Sequence, residues 1–432
     1  MPHEQAMNIA RLVADNYDDE YVRDAFATVA LTLVHEQPFK IPYVAAVVLF
    51  AHAEKAEAAK DVIDKAGSQL QEHLEKGQWR GAKLVLRFLT GLSRLFEQDG
   101  IFPILDELFG RAVDLQTASA EDTIGVELVK IILLTIPYLI ASTEDTSMQQ
   151  KAAELLERTD VVASTPHELE ALVDPFPALE NDVERPMAFA SVVSMLQRQL
   201  QDEAANGWPL KCIPRIYDPA LKPPARQGNT NGETNGDGSA AGLVSFPSIS
   251  VPSVVNPGEK KLFPELYFSV YADQEVESVP PTSNVASVLM RDAIVDTINI
   301  LDFNREQTSK FLNIVDCFWA ENTFAPRATP FDKLRDVEEG RPSWKQEDVA
   351  IDAVFSQIFT LPAPEHKLVF YHSLITEICK ISPQAIAPSL GRAIRFLYRS
   401  VEQMDLELAY RYMDWFAHHL SNFEFRWKWT EW

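Results

Sequence analysis

Cysteine is scarce in this sequence. The 432 residues include three cysteines, Cys212, Cys317 and Cys379, which lie far apart along the chain and fit no metal-ligand spacing. A fold held together by disulfide bonds is therefore not expected, and neither is a structural metal site. The pattern is typical of reduced thiols in the cytosol or nucleus.

Positive charge is also in short supply. Lysine and arginine total 39 against 63 aspartate and glutamate residues, which gives a formal net charge of -24. A surface of this sign repels phosphate, and the sequence contains no dense cluster of basic residues. Independent binding of nucleic acid through the release of counterions is therefore not expected.

Long apolar runs are missing as well. The most apolar window, Ile131–Ala141, is much shorter than the ~20 residues that a membrane helix requires, and Pro137 interrupts it. This window predicts a buried helix, and no membrane is expected as a partner. The first residues, "MPHEQAMNIARLV", have neither the basic nor the apolar region of a secretory signal.

Motifs of catalysis and cofactor binding are likewise absent. The one glycine-containing cluster, "NGETNGDG", follows no predicted strand and opens no predicted helix, so it does not indicate a phosphate-binding loop. The sequence has no Gly-x-Ser-x-Gly elbow and no His-Glu-x-x-His pair. Pairs of carboxylates such as "YDDEY" are typical of solvated faces in an acidic protein. We therefore expect neither an enzyme nor a cofactor.

What the sequence does contain is helical periodicity along most of its length. In "GAKLVLRFLTGLSRLF" apolar residues recur every three or four positions, and residues 58–97 predict two antiparallel helices joined at Gly77. Residues 368–404 repeat this pattern around Pro383, and Asp405 offers a cap for a final helix. Strand signals are scarce. The sequence predicts an all-α fold, with two α-α superhelical domains of stacked antiparallel helical hairpins.

Changes of composition predict the domain boundaries. Residues 1–205 are predicted to form a first helical-repeat domain and residues 262–432 a second one. Residues 206–261 are predicted to be the segment that connects the two domains. Within the connection, residues 221–242 are rich in Gly, Asn, Thr and Pro, which indicates a flexible linker. The proline-containing stretch that follows predicts an extended segment on a domain surface.

A further helix start is predicted inside the first domain. In "STPHELEALV" Thr165 can act as the cap, Pro166 fits the first helical position, and Glu168 completes a capping box.

The carboxyl-terminal helix and the residues after it hold the candidate site. Ala409, Tyr412, Met413, Phe416 and Leu420 are predicted to face inward, with His418, His419 and Asn422 at the flank. The two adjacent histidines point about 100° apart on a helix, so they are not expected to share a metal ion.

Aromatic residues then alternate with charged ones. This period of two predicts an extended segment that lays an aromatic face against the domain or a protein partner. Arginine and lysine between tryptophans can also stack in a groove for single-stranded nucleic acid, which leaves direct RNA binding open as an alternative. The aromatic positions are Phe423, Phe425, Trp427 and Trp429.

The string "DWFAHHLSNFEFRWKWTEW" resembles the signature segment of the large subunit of the nuclear cap-binding complex. The resemblance continues upstream through "VFSQIFTLPAPEHKLVFYHSLITEICKISP". It extends more faintly to "KGQWRGAKLVLRFLTGL" and "GWPLKCIPRIY" in the first half of the chain.

This resemblance implies a scaffold. Large subunits of this family are built from three helical domains of the type found in the middle of a translation-initiation scaffold. They bind a small subunit with an RNA-recognition fold, which holds the 7-methylguanosine cap of RNA between aromatic rings. The large subunit orders the ends of that partner and offers surfaces to RNA export, splicing and decay factors, in the nucleus and in shuttling to the cytoplasm.

The resemblance also implies what this chain covers. It begins after the basic import segment of the family and stops where a third domain would follow, so we expect a fragment with the first two helical domains. The partner-binding candidates are His418, Asn422, Arg426, Trp427 and Trp429. The alternative is a different helical scaffold of translation initiation or RNA decay that binds an RNA helicase.

Overall fold

The computed structural model describes residues 2–177, 185–186, 190–218, 242–259, 262–272, 274–335 and 340–426. Within these ranges the predicted all-α fold is confirmed, because helices account for all regular structure and the β-contacts are two isolated bridges. The α-helices are α1 Pro2–Asp15, α2 Glu20–Glu36, α3 Ile41–Glu54, α4 Ala56–Lys76, α5 Trp79–Gly91, α6 Phe102–Ala118, α7 Ile124–Ala141, α8 Thr146–Ala163, α9 Val192–Ala205, α10 Ala286–Ile300, α11 Arg305–Leu312, α12 Gln346–Ile358, α13 Leu368–Ile381, α14 Pro383–Ser400 and α15 Leu406–Asn422.

Contacts divide the described chain into two compact units that alternate along the sequence. Unit 1 comprises residues 2–111, 134–152, 213–218 and 242–259, and unit 2 comprises the other described residues. The division predicted from sequence, 1–205 and 262–432 with a connection at 206–261, follows chain order instead and stays a prediction. The flexible linker predicted at 221–242 lies outside the described residues, except for Gly242.

The predicted hairpin of unit 1 is present as α4 and α5. Apolar residues repeat every three or four positions in both helices. Helix α4 buries one face, whereas α5 is buried on all sides from Ala82 to Thr90. Gly77 ends α4 in the left-handed conformation, with φ 67°, and its N–H donates to the carbonyl of His73. Asp19 caps α2 in the same unit by accepting from the N–H of Tyr21 at 2.9 Å.

Residues 242–259 lie across unit 1 without regular structure, in agreement with the extended surface segment predicted there. Val244 accepts from the N–H of Glu97 at 3.1 Å and donates to the carbonyl of Leu95 at 2.7 Å. Farther along, the N–H of Val251 donates to the carboxylate of Glu107 at 2.8 Å. These bonds satisfy backbone groups that a segment without secondary structure would otherwise leave unpaired.

The end of this segment meets the turn after α4 at very close range. A Cβ placed on Gly258 would lie 2.0 Å from the carbonyl oxygen of Gly77, and both glycines have positive φ. No other residue fits either position without moving the backbone.

Unit 2 is organised around α12, which is covered on every side. All 13 of its residues are buried, and α10, α13 and α14 pack against it. The hairpin of α13 and α14 is the one predicted around Pro383, which occupies the first turn of α14.

Two carboxylates of α12 are paired with arginines from neighbouring helices. Asp352 pairs with Arg291 of α10 and also accepts from the N–H of Val270 at 2.8 Å. Asp348 pairs with Arg392 of α14. Burial raises the pKa of Asp352 above its ordinary value, and the guanidinium of Arg291 opposes that shift. These ion pairs therefore allow charged residues to occupy a helix that has no exposed face.

The helix start predicted at Thr165 is wrong. Helix α8 ends at Ala163, and the Thr165 hydroxyl donates back to the carbonyl of Val161 at 2.7 Å instead of capping a new helix. The residues that follow form only a 3-10 turn at Glu170–Val173. The hydroxyl thus completes the preceding helix, an alternative that a capping-box pattern does not reveal.

Helix α7 contains the apolar window Ile131–Ala141 and confirms the buried helix predicted there. By length and composition it is the one helix of the described chain that could cross a membrane, but 78% of its 18-residue window is buried inside the protein. Protein side chains therefore cover most of this apolar surface.

We predict that Asp352→Ala lowers the free energy of unfolding of unit 2 by about 3–5 kcal/mol, because it leaves Arg291 buried without its carboxylate. Urea unfolding followed by tryptophan fluorescence measures the change. The double variant Arg291→Met with Asp352→Leu recovers most of the loss, since both charges are removed.

The control for this prediction is Arg335→Ala. Arg335 pairs with Glu275 at 2.8 Å where both side chains are exposed, so its loss changes the free energy of unfolding by less than about 0.5 kcal/mol. An Asp352→Ala variant that costs no more than this control would show that the buried pair contributes little.

Candidate interaction surface on the last helix

Helix α15 begins where the sequence predicts it. Asp405 is the N-cap, and its carboxylate accepts from the N–H of Glu407 at 2.9 Å. The N–H of Asp405 donates to the carbonyl of Pro175 at 2.8 Å, within unit 2. The cap and this bond fix the point from which the candidate residues of α15 project.

One face of α15 is anchored by Trp415. Its ring is fully buried, meets the ring of Phe355 of α12 edge to face at 4.8 Å, and lies 5.4 Å from the stacked ring of His419. Such aromatic pairs contribute about 0.5–1.5 kcal/mol beyond the area that they bury. Trp415 therefore secures α15 against the central helix of unit 2.

Arg411 makes a second anchor on the same face. Its guanidinium donates to the carbonyls of Ile358 at 3.0 Å, Thr360 at 2.8 Å and Pro362 at 2.6 Å. Ile358 is the last residue of α12, so a cation lies at the negative end of that helix dipole and satisfies carbonyls that the helix leaves free. The Arg411 Nε donates to Glu407 at 2.9 Å, which orients the guanidinium.

The inward face predicted from sequence is partly wrong. Met413 is exposed, while Arg411, Trp415 and His419 are buried. The prediction selected apolar side chains and therefore missed Arg411, whose partners are carbonyls distant in sequence. Trp415, three positions after Tyr412, was the signal in the sequence that could have placed the inward face correctly.

The histidine pair separates into one buried and one more exposed residue. His419 is buried beneath Phe423, with 4.8 Å between the ring centroids, and His418 faces His372 of α13 at 5.4 Å. Burial, followed by the charge of His418, lowers the pKa of both His372 and His419 to about 4. These two imidazoles are neutral at pH 7. Among the described residues no three His, Cys, Asp or Glu side chains gather as a metal site.

The structure brings together two of the five candidate residues. The Asn422 amide donates to the carbonyl of His418 at 2.8 Å and lies 3.3 Å from its ring. Arg426 is exposed and pairs with Glu424 at 2.7 Å. Trp427 and Trp429 lie outside the described residues.

The extended aromatic segment predicted after α15 is wrong for residues 423–426. Glu424 and Phe425 have φ of 57° and 55°, which is left-handed backbone. The N–H of Phe425 donates to the carbonyl of Leu420 at 2.8 Å, the bond that closes a Schellman turn at a helix end. The backbone after α15 is therefore hydrogen-bonded to the end of the helix, and the Phe425 side chain is left exposed.

A second apolar stripe runs along α15 opposite the buried one. Leu406, Tyr410 and Met413, spaced four and three residues apart, are 68%, 55% and 49% exposed. A helix with apolar residues on opposite faces is typical of one covered on both sides. The outward stripe, together with the candidate residues His418, Asn422 and Arg426 at and beyond the carboxyl-terminal end of the helix, is called the α15 surface below.

This part of the chain matches a known protein family. Residues 280–432, which contain α10 to α15, match the family described as MIF4G like, an all-α helical repeat. Most of unit 2, including the α15 surface, therefore has the architecture of an all-α helical repeat.

Nearly the whole chain is similar to one kind of protein. It is 28% identical over 431 residues to nuclear cap-binding protein subunit 1 of Schizosaccharomyces pombe, which covers 99% of this chain and 51% of the relative. It is 29% identical over 457 residues to nuclear cap-binding protein complex subunit 1 of Saccharomyces cerevisiae, with 96% and 50% covered. The human nuclear cap-binding protein subunit 1 is 40% identical over 82 residues, 19% of this chain and 10% of the relative.

These comparisons confirm the resemblance predicted from the sequence. The chain is similar to the large subunit of the nuclear cap-binding complex along its length, and it spans about half the length of the curated relatives that it matches.

We predict that the stability of unit 2 falls as the pH drops from about 6.5 towards 4. The pKa of His372 and His419 is about 4 when folded and 6.5 ordinarily, so the unfolded chain binds more protons in this window. The stabilisation is complete above pH 6.5. Between pH 7 and pH 5, each of the two histidines lowers the free energy of unfolding by about 1 kcal/mol, after allowance for solvent screening.

Urea unfolding at pH 7 and pH 5 tests this with the double variant His372→Gln and His419→Gln, which should show a smaller pH effect than the original chain. His3→Gln, in α1 of unit 1, is the control and leaves the pH effect unchanged. Equal pH effects in the original chain and the double variant would contradict the assignment.

Proposed function

We propose that this chain is a scaffold portion of a nuclear cap-binding complex. It binds and orders a small subunit with an RNA-recognition fold, and that subunit holds the 7-methylguanosine cap of RNA. The single observation that carries the proposal is the similarity over 99% of the chain to a protein named nuclear cap-binding protein subunit 1. The helical-repeat architecture of unit 2 supports a role in holding other proteins.

The chain contacts capped RNA through the small subunit and performs no chemistry itself. Its net charge of -24 supports this division, because phosphate is repelled unless a basic partner intervenes. We further propose that the protein acts in the nucleus, shuttles to the cytoplasm, and recruits RNA export and processing factors. The names of its relatives support the nuclear location.

The α15 surface is the proposed contact for the small subunit. Its exposed apolar stripe has the composition of the hydrophobic core of a protein interface. His418, Asn422 and Arg426, at and beyond the carboxyl-terminal end of the helix, are proposed partner-binding residues. Trp427 and Trp429 remain proposed partner-binding residues on the strength of the sequence alone.

We expect the chain to co-elute with a small cap-binding subunit in size-exclusion chromatography. In the complex, the affinity of the small subunit for a cap analogue rises, because its ends are ordered before the analogue binds. Addition of the part of the Schizosaccharomyces pombe relative that this chain does not cover tests whether the further helices implied by the family resemblance are needed.

Absence of a complex both with and without those added helices would contradict the proposal. Capture of an ATP-dependent RNA helicase in place of the small subunit would favour a different initiation or decay scaffold. Steeply salt-dependent binding of uncapped RNA by the chain alone would favour direct RNA recognition.

The double variant Tyr410→Glu with Met413→Glu tests the surface itself. We expect at least a 10-fold weaker affinity for the small subunit, because two carboxylates would be buried in an apolar contact. Calorimetric titration measures the affinity. Phe303→Glu is the matched control, since Phe303 is an exposed aromatic residue of the same unit just after α10.

Unchanged affinity in the Tyr410 and Met413 double variant would exclude this face of α15 as the contact. If the double variant lowered the affinity for the small subunit only when the added helices are present, the apolar stripe would be the contact for those helices instead.

A further inference from the structure

Unit 1 contains a cavity of about 370 Å³ that the proposed function does not use. Its lining comes from α3, α5, the end of α7 and the segment 213–218, all within this unit. Helix α3 supplies an apolar wall, with Ile41, Ala45 and Leu49. A cavity of this size accommodates one large side chain and its neighbours, or a small ligand.

Arginines line the same cavity. They are Arg87 of α5, Arg94 in the 3-10 turn Ser93–Leu95 that follows it, and Arg215. The guanidinium carbon of Arg87 lies 4.6 Å from the centre of the Tyr138 ring, a cation–π distance. The lining includes two carboxylates, those of Glu144 and Asp218. A protein with 63 acidic and 39 basic residues therefore has a local excess of positive charge at this site.

Arg94 is hydrogen-bonded to the lining of the cavity, and its side chain is still accessible to solvent. Its Nε donates to the carbonyl of Ser142 at 2.6 Å, and its Nη2 lies 3.7 Å from the carboxylate of Glu144. The side chain is partly exposed, and Glu144 is almost fully exposed, so this pair is weak in water. An incoming carboxylate can replace that of Glu144 at Arg94 at little cost.

The chain itself indicates which chemistry the site accepts. Tyr217 and Asp218, an aromatic residue followed by a carboxylate, form part of the wall. The Tyr217 ring lies 4.9 Å from the ring of Phe50 and 6.0 Å from the guanidinium carbon of Arg94. An aromatic ring against apolar residues, beside a guanidinium, is thus an arrangement that this site already contains.

We propose that this cavity binds a short peptide segment of a partner protein, in which an aromatic residue is flanked by acidic residues. The aromatic ring of the peptide packs against the apolar wall formed by α3, and one of its carboxylates pairs with Arg94. A carboxylate is favoured over the phosphate of a nucleotide because the acidic group that Arg94 already has beside it in this site is a carboxylate, that of Glu144. The proposal is independent of the α15 surface and of the small subunit.

The test is a fluorescence-anisotropy titration of the whole chain, without other subunits. The probe is a fluorescein-labelled heptapeptide with a central Tyr between Asp residues, and the comparison probes are the same peptide with Asn in place of Asp and a labelled uridine monophosphate. We expect the acidic peptide to bind at least 10-fold more tightly than the Asn peptide. We also expect it to bind more tightly than the nucleotide.

Variants locate the binding. Arg94→Glu lowers the affinity for the acidic peptide at least 10-fold, and Arg94→Lys lowers it less because the charge is kept. Lys60→Glu makes the same charge change on an exposed part of α4 and leaves the affinity unchanged. Circular dichroism checks that each variant is folded.

Equal affinity of the original chain and folded Arg94→Glu for the acidic peptide would overturn the proposal. It would also be overturned by tighter binding of the nucleotide, or by no preference for Asp over Asn. None of these results bears on whether the chain binds the small subunit.

Discussion

The pairing of the α12 carboxylates with Arg291 and Arg392 is the constraint on which unit 2 depends. Because α12 has no exposed face, every charge on it has to be satisfied by a neighbouring element. Arg291 comes from α10 and Arg392 from α14, so the pairs fix how those helices lie along α12. Arg411 then attaches α15 to the end of α12. The position of the α15 surface is in this way set by ionic contacts deep inside the unit.

Much of this architecture could be predicted from local patterns. Gly77, Pro383 and Asp405 each act through the backbone of their own turn, so the hairpins and the start of α15 were visible in sequence. Errors arose where a competing hydrogen bond decided the outcome. Thr165 completes the helix before it, and the end of α15 closes through left-handed backbone at Glu424. At Thr165 the local sequence is compatible both with a new helix and with the end of the old one, and at Glu424 both with an extended segment and with a closed helix end. The surrounding packing decides between the two in each case.

The candidate surface and the cavity differ in how far sequence can reveal them. His418 and Asn422 are four residues apart on one helix, so their contact follows from helical geometry. Arg411 was missed because its partners lie some 50 positions earlier, in the carbonyls of Ile358 and Thr360. The cavity of unit 1 draws its wall from four separate stretches of the chain, and no single stretch carries a recognisable motif. Only the folded arrangement collects its arginines beside apolar residues.

The course of the chain on either side of residues 219–241 has a practical consequence. Tyr217 packs on Phe50 before this stretch, and Val244 bonds to Leu95 after it, so both flanks are attached to unit 1. Lengthening a connection between two attached points costs only about 0.6 kcal/mol for each doubling of its length. A fluorescent protein or affinity tag inserted there would mark the molecule internally, while both flanks of the insertion stay attached to unit 1.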